Sequence, residues 1–510
     1  MKLTCKKKLA IGGVLVLGAV AAAVAIASPA TDLTAVPAAN TKSAGYAPAS
    51  VLSPELAQIA VAQGSTKVEN PSAAISYYGY DNDTLNAAGE PIMVASAATG
   101  NTEAHKTEPD KNVYLVFDKS LAGADPSYDY GTRFLFQGHE TGTPSYITRI
   151  NLDADAAHRI TVLATQDANG NPIADIDGAT RDPFAQRLLF TTENQNAPTY
   201  SATPGYPSQV TDVSGALGRG GYEGIQDDSD GNVWIVEDIG GSAKLGTTAK
   251  RPNSFVYRYV PAKPGDLANG KLQVLQVLNS SGTPVTFESQ ATLASPDQVA
   301  LHTYGNTFDT RWVTIHDTAV DGTAPFNANT TAKAAHGTPF KRPENDCCGG
   351  WTSVMKLTQA GPSANTGKLT MLYKGDQAHA SFDNVAFLTG NLISFVEDAG
   401  DTLHTQRNAL DSGFLLDVTK TYAGGANTPV RWLAEGRDPS ATLDADNAGF
   451  GKNEGDNEIT GIHVSDGDTR KQGILGAKEP HPFEPNGHWR VFYTQQHGDN
   501  TTYEVVRLQK

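Results

Sequence analysis

Apolar positions come in short runs, seldom at helical spacing. Val113 to Asp118, Arg133 to Gln137, Arg187 to Thr192, Asn232 to Glu237, Phe255 to Val260, Leu392 to Asp398 and Trp489 to Tyr493 are rich in β-branched or aromatic residues. Each is bounded by Gly, Asp or Asn, the texture of strands separated by tight turns. The best short helix is predicted over residues 54 to 63, Pro-Glu-Leu-Ala-Gln-Ile-Ala-Val-Ala-Gln. A loose repeat runs through the chain, appearing as Asp177 to Glu193, Glu223 to Asp238 and Phe382 to Asp398. A fourth copy opens at Glu458 to Asp466, and its second strand, Trp489 to Tyr493, follows an insertion. Each copy has an acidic start, a strand, a turn and a strand, often with an acidic end. Irregularly spaced hairpins of this kind predict an all-β fold, a single β-propeller of six blades with few short helices.

The N-terminus has a different pattern. Lys2, Lys6, Lys7 and Lys8 precede an apolar stretch from Leu9 to Ala27, with small residues offering cleavage after Ala27 or Ala30. Residues 1–27 are thus a signal peptide or, uncleaved, an N-terminal membrane anchor. The protein is expected to be exported, periplasmic or extracellular, touching a membrane only through this segment. Residues 28–50, rich in Ala, Ser, Pro and Thr, are expected to be a flexible linker to a propeller domain over 51–510.

Charge narrows the function. The 510 residues carry a formal net charge of −16. This argues against nucleic acid as a partner, which needs a positive face, and suits a binder of cations. The three cysteines, Cys5, Cys347 and Cys348, give no disulfide framework. No nucleophile-elbow serine, Walker loop, His-Glu-x-x-His or Cys-x-x-Cys is present. Gly218-Arg-Gly-Gly221 lacks dinucleotide-loop spacing, and the Asp230-Gly231 turn belongs to a hairpin before it suggests a calcium loop.

In a propeller, innermost strands line a central channel, so acidic residues at strand starts converge from several blades. Buried together they repel one another, and cations relieve the conflict. Asp238 and Asp398, at blade ends, are candidate metal ligands on this ground.

The order of acidic motifs resembles the PhoX-type alkaline phosphatases. Gln137-Gly-His139-Glu140 is similar to that family's Asn-His-Glu. Asp182 to Asn194 is similar to its Thr-Pro-Trp-Gly-Thr-Trp-Leu-Thr-Cys-Glu-Glu segment, and Leu217-Gly-Arg-Gly-Gly-Tyr-Glu223 to its Leu-Gly-Arg-Phe-x-His-Glu. Arg342-Pro343-Glu344, Glu458-Ile-Thr-Gly461 and Gln496-His497-Gly498 follow in the family's order. The resemblance covers the chain from about residue 130 onward. It implies an axial iron and calcium cluster that cleaves phosphate monoesters. Glu193, Glu223 and Glu344 would be inner metal ligands, with Glu140 and Glu458 joining the cluster. Arg342 would be the catalytic anion grip, and Arg342 and His497 would bind the phosphate ester. Thr192 stands at the family's cysteine and Asn194 at its second glutamate. A hydroxyl is a poor iron ligand, so calcium is expected ahead of iron. The family's twin-arginine leader is also missing.

Two alternatives remain open at this point. One is a calcium-dependent lactonase or esterase propeller, and the other a non-catalytic, calcium-stabilised secreted binding module. His139, His336, His379, His404 and His481 are expected to be structural, and Trp234, Trp351, Trp432 and Trp489 to pack between sheets.

Overall fold

The computed structural model describes residues 32–42, 48–93, 99–142, 144–241, 252–286, 295–340, 352–436, 458–470, 478–485, 487–498 and 500–508. Arg342, Glu344, Cys347, Cys348, Trp351 and the 1–27 leader lie outside these residues.

The chain opens with β1 (Val51–Leu52), β2 (Leu56–Ala62) and a small hairpin, β3 (Ile75–Tyr77) and β4 (Tyr80–Asp81). A four-stranded sheet follows, from β5 (Pro109–Val116), β6 (Arg133–His139), β7 (Tyr146–Asn151) and β8 (Ile160–Ala164). The next comprises β9 (Ile176–Asp182), β10 (Arg187–Thr192), β11 (Tyr200–Ala202) and β12 (Val210–Asp212). The third holds β13 (Tyr222–Asp227), β14 (Val233–Glu237), β15 (Val256–Pro261), β16 (Gly270–Leu278), β17 (Thr307–Asp317), β18 (Ser353–Gln359) and β19 (Thr366–Lys374), in the order β13-β14-β15-β16-β17-β19-β18. The fourth is β20 (Phe382–Phe387), β21 (Leu392–Glu397), β22 (Ser412–Asp417) and β23 (Val430–Ala434), with β1 added at the edge of β23, and the fifth β24 (Glu458–Ser465), β25 (Arg490–Gln496) and β26 (Thr501–Arg507), with β2 added at the edge of β26. The described α-helices are short: α1 (Ser214–Leu217), α2 (Pro296–Leu301), α3 (Thr318–Asp321), α4 (Ala328–Ala334) and α5 (Gly400–Arg407). None among the described residues is long and apolar enough to cross a membrane.

The sheets stand in a propeller-like ring because their middle strands are apolar on both faces. In Phe134-Leu135-Phe136, the two phenylalanines pack with Leu188 and Phe190 of the following sheet. Leu135 packs on the opposite side, with Phe492 of the last sheet. In Leu188-Leu189-Phe190 the middle leucine turns to Ile225, Ile235 and Tyr257. Continuous apolar runs are what a strand buried on both faces requires. The contact of Phe492 and Ala62 with Tyr114 and Leu135 joins the last sheet to the first.

Two expectations are corrected. Residues 56–62 form a strand, not a helix, pairing antiparallel with β26 from Leu56↔Arg507 onward. Ala-rich helix propensity is a weak preference, and the otherwise unpaired edge of β26 outweighs it. The described part of the 28–50 linker is laid on the sheets. Val36 is buried and its N–H donates to the Arg431 carbonyl at 2.8 Å, while the Asn40 carbonyl accepts from Leu410 N–H at 2.9 Å. Leu33 and Val36 supply the apolar anchors.

The Asp230-Gly231 segment is a hairpin turn: Asp228 Oδ1 accepts from the N–H groups of Asp230 and Asn232, both at 2.9 Å. Gly231, at φ +86°, supplies the left-handed residue the turn needs.

If β2 closes the ring, Leu56→Ala, at a side chain 5 % exposed, should cost about 2–5 kcal/mol. Ile59→Ala, at a position 50 % exposed, should cost less than about 1 kcal/mol. Denaturant midpoints of the two variants check this; a helix over 54–63 lying free of β26 would make both changes mild.

Candidate metal centre

One local device recurs at the inner strand of four sheets. Glu108, Asp175, Gly221 and Ser381 adopt left-handed backbone with φ of 43°, 50°, 60° and 50°. An acidic residue lies two positions after each: Asp110, Asp177, Glu223 and Asp383. The carbonyl of each left-handed residue accepts the N–H of the first residue past the neighbouring strand. The donors are Glu140 at 3.0 Å, Glu193 at 3.1 Å, Asp238 at 2.9 Å and Asp398 at 2.8 Å. Each of these sheets therefore contributes a pair of carboxylates, one on the inner strand and one where its partner strand ends.

Bulges aim them. Pairing shifts register between Pro109 and Asn112, between Tyr222 and Ile225, and between Phe382 and Val385. On β9 two residues, Asp177 and Gly178, fall between the pairs formed by Ile176 and Ala179. Such irregularities re-aim side chains and end regular pairing. Gly178 is required by close approach: a Cβ there would meet the Glu223 carbonyl oxygen at 1.7 Å. Thr191 Oγ1 fastens the same carbonyl, donating to it at 2.6 Å.

The result is a cavity of about 110 Å³ lined by eight carboxylate residues: Asp110, Glu140, Asp177, Glu193, Glu223, Asp383, Asp398 and Glu458. On one side, single oxygens of Glu193, Glu223 and Asp238 all lie within 4.8 Å of one another. The adjoining glutamates Glu237 and Glu397 serve the scaffold. Glu237 Oε2 accepts from Phe255 N–H at 3.0 Å and Asn329 Nδ2 at 2.9 Å. Glu397 accepts from Ala380 N–H at 2.7 Å and from the Arg407 fork of α5 at 2.8 and 3.1 Å. Strand alternation explains the division, since consecutive side chains face opposite ways.

The electrostatics follow from crowding. Burial pushes the Glu140 carboxyl well above its ordinary range, and Glu193, Glu108 and Asp110 add to the effect. Asp177 is raised by burial, then by Asp110 and Glu193. Glu458 is raised by burial, then by Asp398, Asp383, Asp110 and Glu140. The fully buried Oδ1 of Asp177 has no hydrogen-bond partner. Many hard oxygen donors lining one small cavity, with Asp177 Oδ1 lacking a proton donor, fit a divalent cation of the calcium type.

Of the residues singled out in the sequence, Glu140, Glu193, Glu223, Glu458 and Asp398 line this cavity, and Asp238 stands in the acidic triad. Arg342 and Glu344 fall outside the described residues. His497 sits at the edge of the group, Nδ1 3.3 Å from Glu108 Oε1 and Nε2 3.8 Å from Glu458 Oε2. Thr192 Oγ1 is turned away, donating to the Pro198 carbonyl at 3.2 Å, and Asn194 Nδ2 donates outward to Asp175 Oδ2 at 3.0 Å. His139 is locked between Thr107 and Thr148, its ring nitrogens 3.1 and 3.0 Å from their hydroxyls. His404 is fully buried against Asp411 at 2.9 Å. Asp110, Asp177, Asp383 and the neighbouring Lys111 were not singled out. Asp177 and Asp383 stand at the acidic starts of the repeat, a signal that could have found them.

No protein-family model matches the chain, and no curated protein matches it. Among solved structures the fold resembles Pseudomonas fluorescens PhoX in complex with vanadate, a transition-state analogue. The TM-score is 0.51 at 9 % identity, covering 93 % of this chain and 98 % of that one. A gluconolactonase from Xanthomonas campestris matches at 12 % identity and TM-score 0.30, covering 86 % of this chain and 98 % of its own. The likeness to PhoX extends to a propeller-like fold.

Carboxylates that hold protons longer in the folded chain than in the unfolded one make folding less favourable as pH rises. His139 and His463 are held below their usual range by burial, so their opposite contribution is complete once an unfolded histidine has lost its proton, near pH 6.5. As pH rises above the ordinary carboxylate range of about 4, Tm measured in chelator should therefore fall toward the raised carboxyls' own range, the two histidines opposing the fall only up to about pH 6.5. Calcium should flatten the profile; identical slopes with and without calcium would contradict the cluster's control of stability.

Proposed function

We propose that this chain is an exported metal-dependent phosphatase that hydrolyses phosphate monoesters at the axial carboxylate cluster. The observation that carries this reading is the convergence of eight carboxylate residues from distant strands on one cavity. The fold likeness to PhoX, itself captured with a transition-state analogue, supports it. Export is read from the 1–27 segment. We also read the seven-stranded sheet as two blades joined through β17, which makes the count six. Met355, Leu357, Leu369 and Met371 pack with Trp234, while Val354 and Tyr373 pack with Phe382 and Phe395, the two-sided burial of a separate blade.

Calcium is the preferred ion and iron the second choice, because the donors are oxygens and Thr192 is committed elsewhere. Bound cations would supply Lewis acidity toward a phosphoryl oxygen and reverse the local negative field. The chain's part is to hold them. Glu193, Glu223 and Asp238 form one candidate ligand group; Glu140, Glu458 and Asp398 carry the rest, with Glu344 as a further ligand. His497, at the edge beside Glu458, orients the phosphate ester. Arg342 grips its equatorial oxygens with a planar guanidinium fork.

The oxygen-only donor set also favours a second reading, a calcium-dependent lactonase or esterase. A chromogenic phosphate monoester and a lactone, each assayed with calcium, iron and chelator, separate the two. Phosphate release should be metal-dependent, and Glu223→Gln should lower it about 10–100-fold. Lactone turnover alone would move the assignment to the second reading. Calcium-raised Tm with neither turnover would leave a non-catalytic binding module.

A further inference from the structure

The residue after Asp110 breaks the pattern of the inner strands. At the equivalent positions β9, β13 and β20 carry Gly178, Gly224 and Asn384, whereas β5 carries Lys111. The lysine side chain is 16 % exposed, and its Nζ lies 3.6 Å from Glu223 Oε1. Asp383, Asp110 and Asp177 are its other principal charge partners. One acid from each of four inner strands thus acts on a single ammonium. Glu223 lines the acidic cavity and also a second one of about 180 Å³, which Lys111 lines too. Lys111 therefore stands where the two spaces meet.

An ammonium in this place cannot be incidental to the cluster's charge. It offsets one of the carboxylates, carries no cost of association because the chain delivers it, and leaves the others to external ions. Removing one partner from a buried charge group leaves uncompensated charge behind.

We propose that Lys111 is a chain-borne cation of the cluster: it holds the inner carboxylates together before any ion binds and occupies a place that a further divalent cation would otherwise take. This rests on the metal reading above. Its consequence is that the number of ions taken up is set by a residue that is not a metal ligand.

The test compares the full chain with Lys111→Met, Lys111→Arg and Lys111→Met/Asp383→Asn. Calcium per chain is measured by elemental analysis after equilibration with calcium chloride, and Tm is measured in chelator and in calcium. Lys111→Met should bind one more calcium per chain, melt several degrees lower in chelator and recover in calcium. Lys111→Arg should behave as the parent does, and the double variant should return to the parent's stoichiometry. A Lys111→Met chain that folds only with calcium also supports the proposal. Unchanged calcium content and unchanged chelator sensitivity would overturn it. Failure of both Met variants to fold under any condition would give Lys111 a packing role and overturn it as well. A parent chain that binds no divalent cation would sink the metal reading, and this inference with it; a parent that binds calcium beside an unchanged Lys111→Met would sink this inference alone.

Discussion

Negative charge that cannot move apart governs this molecule. Four inner carboxylates, Asp110, Asp177, Glu223 and Asp383, each follow a left-handed residue whose carbonyl is tied to the end of the neighbouring strand. The side chains are therefore set by backbone, and retreat would mean breaking the ladder. Repulsion in the cavity can be relieved only by protons, by the Lys111 ammonium or by cations from outside. The raised carboxyls of Glu140, Asp177 and Glu458 express the first of these, and Lys111 the second.

The scaffold around the cavity is built to resist that repulsion. Asp398 is followed directly by α5, whose Arg407 grips both Glu397 and Asp411, at 2.8 Å to each at its closest. Tyr78, Gln137 and Thr502 form a buried network between the N-terminal hairpin, the first sheet and the last, with Tyr78 Oη 2.6 Å from Gln137 Oε1 and 2.8 Å from Thr502 Oγ1. Such satisfied polar networks fix one arrangement of neighbouring sheets. Thr192, which stands where the PhoX-type motif carries its cysteine, is absorbed into this scaffold, and the side chains lining the cavity are carboxylates.

Several features were legible in the sequence because they follow from short-range rules. The runs at Arg133, Arg187 and Leu392 became strands at or near their expected bounds, since turn residues flank them. The acidic ends of the repeat pointed to Asp238 and Asp398, and the motif resemblance to Glu193, all of which stand at or beside the cavity. Asp110 and Lys111 were not legible, because Glu-Pro-Asp-Lys looks like any solvated charged turn until the bulge at Pro109 turns it inward. Residues 54–63 misled for the converse reason: their composition suits a helix, and only a strand more than four hundred residues away makes them extended. Bulges and long-range pairing leave little trace in local composition.

That last pairing also bears on how the protein is made. β2 and its partner β26 lie more than four hundred residues apart, so the sheet β2-β26-β25-β24 forms only after β26 has been made. A chain cut short of β26 leaves β2 without its partner, and Glu458, on the same sheet, is made after the other seven carboxylates that line the cavity. Assembly of the acidic centre therefore waits on the last of its sheets.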